Sequence, residues 1–158
     1  ARSDKDITII TNSAFIAGYV RENGGARVIL LGGEYQKESQ VMVGPLVRLC
    51  AREFHVDKLF IGTDGFDSKF GFTGSDMMRT EAMKALADSA RNVILLTDSS
   101  KFYQIGVVMQ LRFERVAGVI TDTGIPAETL AVLKEHDVAV TLVDQSFTSK
   151  PDCSKTSL

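Results

Sequence analysis

The chain has 158 residues, of which 44% are apolar, and its 18 Lys and Arg against 20 Asp and Glu give a formal charge of −2. This length indicates one domain whose core needs no disulfide or metal. The nearly equal numbers of basic and acidic residues do not indicate the basic face of a nucleic-acid-binding domain. No apolar run approaches the roughly 18 residues of a membrane span.

Neither the first residues nor the cysteines indicate an exported protein. No charged segment followed by an apolar run opens the chain, so a secretory signal is not expected. Cys50 lies in an apolar helical pattern and Cys153 in a polar tail, which fits a reduced cytoplasmic setting better than a disulfide framework. Because residue 1 is Ala and a strand-like run begins by Ile7, we expect an excised domain or a trimmed chain.

The first part of the chain alternates short apolar runs with segments of helical periodicity. The runs predict strands at Ile7–Thr11, Arg27–Leu31 and Lys58–Gly62. Asn12 or Ser13 can cap a first helix, which ends at Asn23–Gly25. A second helix is expected from Pro45, because proline is favoured in the first turn of a helix.

The same alternation continues to the end of the chain. Helices are predicted over residues 77–90, capped by Ser75 or Asp76, and over Pro126–His136. Further strands are predicted at Asn92–Thr97, Gly118–Thr121 and Val138–Val143. Strand–helix alternation with continuous apolar strands is typical of a layered α/β fold, with a mostly parallel sheet flanked by helices. We assign residues 1–145 to this domain and residues 146–158, which are almost entirely polar, to a flexible tail.

Glycine and polar residues stand where the predicted strands end. Because ligands of open parallel sheets bind at the carboxyl ends of the strands, we expect one site there. Hydroxyls, backbone N–H groups and the ammonium of Lys101 suit a phosphate, and carboxylates such as Asp64 and Asp98 suit sugar hydroxyls. The predicted ligand is a small phosphorylated polyol or sugar. The segments are Thr11–Ser13, Gly32–Glu34, Gly62–Gly65, Thr97–Phe102 and Thr121–Gly124.

Each of these features also has an ordinary structural explanation. The pair Gly32–Gly33 fits a tight turn, and Asp98 fits a helix cap. Lys101 alone fits a solvated surface lysine, and residues 122–124 fit a turn before a helix. The functional interpretation therefore depends on convergence of the set at one edge of the sheet.

The sequence offers no metal or cofactor motif. His55 and His136 stand without Cys or carboxylate residues at metal-ligand spacing, so no metal site is expected. A Gly-x-Gly-x-x-Gly fingerprint, a Walker loop and a Gly-x-Ser-x-Gly elbow are all absent from the sequence, and we expect no cofactor.

Five short segments occur in a distinctive order: Leu31–Glu34, Gly44–Leu46, Asp57–Asp67, Asp98–Phe102 and Val119–Asp122. Together they resemble the C-terminal sensor domain of DeoR-type bacterial transcriptional regulators. The resemblance extends from Ile7 to about Val143, and the Asp-Ser-Ser-Lys-Phe segment at Asp98–Phe102 is its most specific part.

The resemblance implies a fold, a ligand and partners. The fold would be similar to ribose-5-phosphate isomerase and CoA-transferase-like domains, and the ligand a phosphorylated sugar or related metabolite. The domain would form homo-oligomers, and operator DNA would bind only to an N-terminal winged helix-turn-helix domain, usually in a repressor. Lys101 would meet the phosphate or an anionic sugar oxygen. The other pocket residues that the resemblance implies are Asn12, Gly33, Glu34, Asp64, Gly65 and Asp98.

Two parts of the family pattern are absent from this sequence. One is the helix-turn-helix, so the chain as given is not expected to bind an operator. The other is an Asp-Ser-Gly-Thr-Thr loop, which in the family precedes the strand matching Ile7–Thr11 and resembles a phosphate cradle. Without that loop we expect poor ligand binding or an incompletely formed domain, with a sheet that lacks a strand.

Two other functions stay open. A sugar-phosphate aldose–ketose isomerase would need a carboxylate base, and Glu81 is the best candidate because it follows the Gly71–Gly74 turn. Glu81 also fits an exposed first-turn residue that complements the helix dipole. Gly65 stands where such isomerases tend to carry an acidic residue, which favours binding without turnover. The third possibility is an assembly domain with a vestigial pocket.

Overall fold

The computed structural model describes residues 7–144, and within them strands and helices alternate as the sequence predicts. The helices are α1 (Ala14–Asn23), α2 (Pro45–Ala51), α3 (Met77–Asp88) and α4 (Ala127–Glu135). The strands are β1 (Thr8–Thr11), β2 (Arg27–Leu30), β3 (Glu34–Gln36), β4 (Val41–Val43), β5 (Val56–Ile61), β6 (Gly65–Asp67), β7 (Gly71–Gly74), β8 (Ala90–Leu96), β9 (Val108–Leu111), β10 (Gly118–Asp122) and β11 (Ala139–Val143). Short 3₁₀ helices occupy Ser99–Tyr103 and Phe113–Arg115.

The predicted layered α/β fold is confirmed, with its parallel strands divided between two sheets. One sheet has the order β11-β10-β8-β5 and is parallel throughout, and the other is the parallel pair β1-β2. Every predicted strand and helix is present, and the boundaries predicted for the strands, α3 and α4 shift by at most two residues. Helix α2 ends at Ala51, before Phe54, which its predicted apolar face included. Within the described residues β1 pairs only with β2, and β5 pairs only with β8.

The antiparallel strands were not predicted from the sequence. They form the hairpin β3-β4 and the sheet β6-β7-β9, and each of these strands is three or four residues long. A run that short shows too little alternation of apolar and polar residues to reveal a strand. Gly71, which begins β7, has φ = 116°, a conformation that favours glycine.

Side-chain caps fix where two helices begin. The hydroxyl of Ser13 accepts a hydrogen bond from the Ile16 N–H at 3.2 Å, and the carboxylate of Asp76 accepts one from the Arg79 N–H at 2.7 Å. Each cap satisfies a backbone donor that the first helical turn leaves unpaired. Of the alternatives that the sequence left open, Ser13 caps α1 and Asp76 caps α3.

Helix α3 packs against both the β1-β2 pair and the four-stranded sheet. One face packs Ala82 and Ala85 into an apolar cluster with Ile10 of β1 and Ile29 of β2. Farther along the helix, Ala87 joins a larger cluster under the four-stranded sheet. Small alanine side chains let the helix lie close to its neighbours. In that second cluster four aromatic rings meet edge to face at 5.6–6.0 Å, namely Phe66, Phe72, Phe102 and Phe113.

Two expectations concern parts of the chain outside this architecture. The tail predicted at residues 146–158 lies outside the described residues, as does Cys153. No helix of the described part is long and apolar enough to cross a membrane.

A close backbone approach at Gly33 yields a test of the fold. A Cβ atom at Gly33 would lie 2.5 Å from the carbonyl oxygen of Val43, whereas nothing lies within 4 Å of one at Gly32. Gly33→Ala should therefore lower the free energy of unfolding by about 1–3 kcal/mol, because the hairpin β3-β4 must move away. Urea denaturation measures this difference. Gly32→Ala is the matched control, and equal stability of the two variants would contradict the prediction.

Candidate functional site

Acidic residues follow three neighbouring parallel strands at their carboxyl ends. Asp64 comes after β5, Asp98 comes after β8, and Asp122 ends β10. The positive charge of Lys101 acts on the carboxylates of both Asp64 and Asp98. The structure therefore brings together three of the residues singled out from the sequence: Asp64, Asp98 and Lys101.

Asp64 is held by the turn that precedes α3. Its Oδ2 atom accepts hydrogen bonds from the Ser75 N–H at 2.8 Å and the Ser75 hydroxyl at 2.7 Å. The same oxygen accepts a third bond, from Nη2 of Arg79 at 3.2 Å. Oδ1 has no partner among residues 7–144, and the side chain is 39% exposed. One carboxylate oxygen thus orients the group while the other is available to a ligand.

The surroundings of Asp64 favour its charged form. Partial burial acts to raise the pKa of its carboxyl, but the hydrogen bonds from Ser75 and the positive charges of Arg79 and Lys101 outweigh burial. The pKa of Asp64 therefore lies below its ordinary value. A permanently charged carboxylate at neutral pH accepts hydrogen bonds from ligand hydroxyls.

Asp98 begins the 3₁₀ helix that carries Lys101. Its carboxylate accepts hydrogen bonds from the hydroxyl and the N–H of Ser100. The Ser100 hydroxyl bond lowers the pKa of Asp98, burial opposes it, and the Ser100 N–H and Lys101 reinforce the lowering. The helix-cap interpretation of Asp98 is thus confirmed, and the cap itself places Lys101 half-buried beside the two carboxylates.

Asp122 fixes the segment that contains this cap. The residue is buried, and its Oδ2 accepts a 2.7 Å hydrogen bond from the Ser99 N–H. Its Oδ1 accepts a 2.8 Å bond from the Gly124 N–H, which makes the turn predicted at residues 122–124. Asp122 therefore links the end of β10 to the start of the Lys101-bearing segment.

Three of the other predicted pocket residues have structural roles that explain their residue type. Asn12 donates a 2.8 Å hydrogen bond from Nδ2 to the carbonyl of Met42. Gly33 permits the approach to Val43 described above, and a Cβ atom at Gly65 would lie 2.6 Å from the carbonyl of Gln104. Glu34 is exposed at the start of β3.

The hairpin β3-β4 reaches the same turn that holds Asp64. Nε2 of Gln36 lies 3.3 and 3.4 Å from the two carboxylate oxygens of Asp76, the residue after Ser75. This contact links the β1–β4 half of the molecule to the start of α3. The strand that begins with Glu34 therefore approaches the Asp64 network at its far end.

Three residues of the site were not predicted from the sequence. Ser75 and Arg79 hold Asp64, and Gln110 of β9 lies beneath them, lining with Asp64 and Arg79 a cavity of about 10 Å³. In the sequence Arg79 is one charged residue in a helical pattern, and Gln110 falls in a strand that shows no periodicity. Only the packing of α3 against β9 brings these residues to Asp64.

The remaining candidate residues lie away from this network. Oε1 of Glu81 pairs with Nζ of Lys84 at 2.9 Å on the exposed side of α3. His136 stacks on Phe113, with ring centroids 4.0 Å apart. Among residues 7–144 no three His, Cys, Asp or Glu side chains are grouped as metal ligands. A cavity of about 210 Å³ lies near the end of α1 and is lined mainly by apolar and glycine residues.

Comparison with known proteins shows that the chain is similar to one part of proteins named as regulators of transcription. The family model of the DeoR C-terminal sensor domain matches residues 2–123. A protein of Escherichia coli O157:H7 named as a candidate aga operon transcriptional repressor is 28% identical over 144 residues, which cover 91% of this chain and 54% of that protein. The HTH-type transcriptional regulator IolR of Bacillus subtilis (strain 168) is 26% identical over 138 residues, covering 87% of this chain and 55% of IolR. The glycerol-3-phosphate regulon repressor of Escherichia coli (strain K12) is 26% identical over 137 residues, covering 87% and 54%. The chain spans about half the length of these relatives.

The Asp64–Arg79 pair yields a prediction about pH. Arg79→Met should raise the pKa of Asp64 toward its ordinary value of about 3.9, because a neighbouring positive charge is removed. In the native chain the stabilisation from Asp64 is fully present above the unfolded value and is lost as the pH falls through the lower folded value.

Carboxyl ¹³C NMR titration of Asp64 measures this shift. Arg91→Met is the control, since Arg91 pairs with Asp57 at 4.0 Å on the open surface. An Asp64 titration that is the same in both variants would contradict the assignment.

Proposed function

The chain belongs to the DeoR C-terminal sensor-domain family, and from this premise we propose that it binds a phosphorylated sugar or related metabolite without converting it. The observation that carries the proposal is the grouping of Lys101 with the charged carboxylates of Asp64 and Asp98 at the strand ends. The ammonium is suited to a phosphate or an anionic sugar oxygen, and the carboxylates are suited to sugar hydroxyls. The glycerol-3-phosphate regulon repressor, one of the relatives, carries a phosphorylated polyol in its name.

Four further residues are proposed to line the pocket, mainly with their main-chain atoms: Asn12, Gly33, Glu34 and Gly65. Their structural roles set the path of the chain around the strand ends. We expect the ligand to contact Lys101, Asp64 and Asp98 through side chains, and these four positions mainly through the main chain. Glu34 is the exception, because its exposed carboxylate is free to accept a ligand hydroxyl.

Binding is proposed to act on a DNA-binding domain outside this chain. The relatives are named as regulators or repressors of transcription, and about half of their length lies beyond the match. A ligand shifts a conformational equilibrium only if it binds one state more tightly than the other. We propose that the effector favours an arrangement of subunits in a homo-oligomer that weakens operator binding, so that the whole protein is a cytoplasmic repressor.

Parts of the protein beyond this chain are proposed to complete the two parallel sheets, since the chain spans about half the length of its relatives. The support is that β1 and β5 each pair with a single strand among the described residues, while α3 packs against both parallel sheets. For this reason the functional tests use the full-length protein.

Lys101 provides the main test of effector sensing. Lys101→Ala in the full-length protein should leave operator affinity unchanged and raise the effector concentration needed for release about tenfold or more, because a charged hydrogen bond is lost. Gel-shift titration with a panel of sugar phosphates measures this. Lys84→Ala, on the exposed side of α3, is the control. Release of the Lys101 variant at the wild-type concentration would contradict the proposal, and no release of the wild type by any sugar phosphate would favour an assembly role.

The isomerase alternative has its own test. Because Glu81 pairs with Lys84 and lies outside the Asp64 network, we expect no aldose–ketose conversion by the full-length protein. A coupled assay with the same panel measures turnover. Activity that disappears in Glu81→Gln would overturn the sensor proposal.

A further inference from the structure

We propose that Arg79 is a second anion-binding residue of the site, which binds the phosphate of the effector and selects phosphorylated over neutral sugars. This inference rests on the proposed function and adds a residue that the sequence motifs did not indicate. It starts from the donors that Arg79 does not use within the protein.

The guanidinium of Arg79 is fixed on one side only. Nη2 bonds to Oδ2 of Asp64 at 3.2 Å and to the hydroxyl of Ser75 at 3.1 Å. Nε and Nη1 have no hydrogen-bond partner among residues 7–144. The side chain is 27% exposed, so a ligand can reach the group. A held guanidinium with unused donors has the planar geometry that binds two oxygens of a phosphate at once.

The backbone beneath Arg79 is built to hold this position. Arg79 lies in the first turn of α3, where its N–H bonds to Asp76, and the Thr80 hydroxyl bonds to the Asp76 carbonyl at 2.7 Å. A Cβ atom at Gly74 would lie 2.2 Å from Oγ1 of Thr80, so only glycine lets the preceding strand pass so closely. The guanidinium therefore loses little conformational freedom when a ligand binds.

A second, independent observation comes from Gln110. This residue is 2% exposed, and its Nε2 donates to the carbonyl of Gly62 at 2.8 Å, which fixes the orientation of the amide. Its Oε1 is buried without a hydrogen-bond partner, and the side chain lines the same small cavity as Arg79 and Asp64. A buried acceptor without a donor is unfavourable, so a ligand hydroxyl that donates to Oε1 would gain binding energy. The cavity of about 10 Å³ has room for one hydroxyl-sized group, so a phosphate bound by Arg79 would lie outside it, on the exposed side of the guanidinium.

Lys101 and Arg79 would then divide the recognition of the ligand. Both charges act on Asp64, from the 3₁₀ segment and from α3 respectively. If Arg79 takes the phosphate, Lys101 is left to bind an anionic or hydroxyl oxygen of the sugar. A neutral sugar would use only the Lys101 side and would bind weakly.

Inorganic phosphate tests Arg79 without knowledge of the effector. In the full-length wild-type protein, isothermal titration calorimetry and the phosphate-induced rise in melting temperature should show saturable binding. Arg79→Met should weaken this binding tenfold or more. Arg79→Lys should keep part of it, because the charge remains while the two-oxygen geometry is lost. Arg91→Met, with its exposed guanidinium, should bind as the wild type does.

The outcomes separate this inference from the proposed function. The rise caused by phosphate is compared within each variant, so a loss of stability alone does not mimic lost binding. Unchanged phosphate binding in Arg79→Met, or no saturable binding by the wild type, overturns the role of Arg79. If Lys101→Ala abolishes binding and Arg79→Met does not, the phosphate belongs to Lys101, and the sensor proposal survives alone. If Arg79→Met abolishes binding and Lys101→Ala does not, the inference stands.

Discussion

The hydrogen bonds from Ser75 to the Asp64 carboxylate fix the candidate site and attach it to the rest of the fold. They join the end of β5 to the turn before α3, and Arg79 adds a third bond from the helix itself. Helix α3 in turn packs against both parallel sheets. The Asp64 carboxylate therefore connects the candidate pocket to the helix that packs against both parallel sheets. A ligand bound to Asp64 would directly contact the group that joins β5 to α3.

The electrostatics of the site favour binding over proton transfer. The pKa values of Asp64 and Asp98 both lie below the ordinary value, because hydrogen bonds and nearby positive charges stabilise their ionised forms. A general base works best when its pKa is near the working pH, and these carboxylates are far below neutrality. They are suited to hold hydroxyls in a fixed orientation, which is what a sensor needs.

The contacts around the candidate site connect it to neighbouring elements on two sides. The Gln36–Asp76 contact connects the hairpin β3-β4 to the first turn of α3, next to Ser75. On the other side, buried Asp122 connects β10 to the segment that carries Lys101. A ligand that contacts both Lys101 and Arg79 would bind next to both of these connections.

The sequence by itself determined the parallel strands, the α-helices and the family. For the caps of α1 and α3 it left two candidates each, one of which was Ser13 or Asp76. These features depend on local periodicity and on residue types that act on their own backbone. It also indicated Asp64, Asp98 and Lys101, because each lies in a polar segment that follows a predicted strand. Only the tertiary structure revealed the short strands β3, β4, β6, β7 and β9. Strands of three or four residues form only when they pair with neighbouring strands. It alone showed that Gly33 and Gly65 serve close backbone approaches, and that Arg79 and Gln110 meet Asp64. These last contacts join residues 15 and more positions apart, and such distances are set by packing, which no local pattern records.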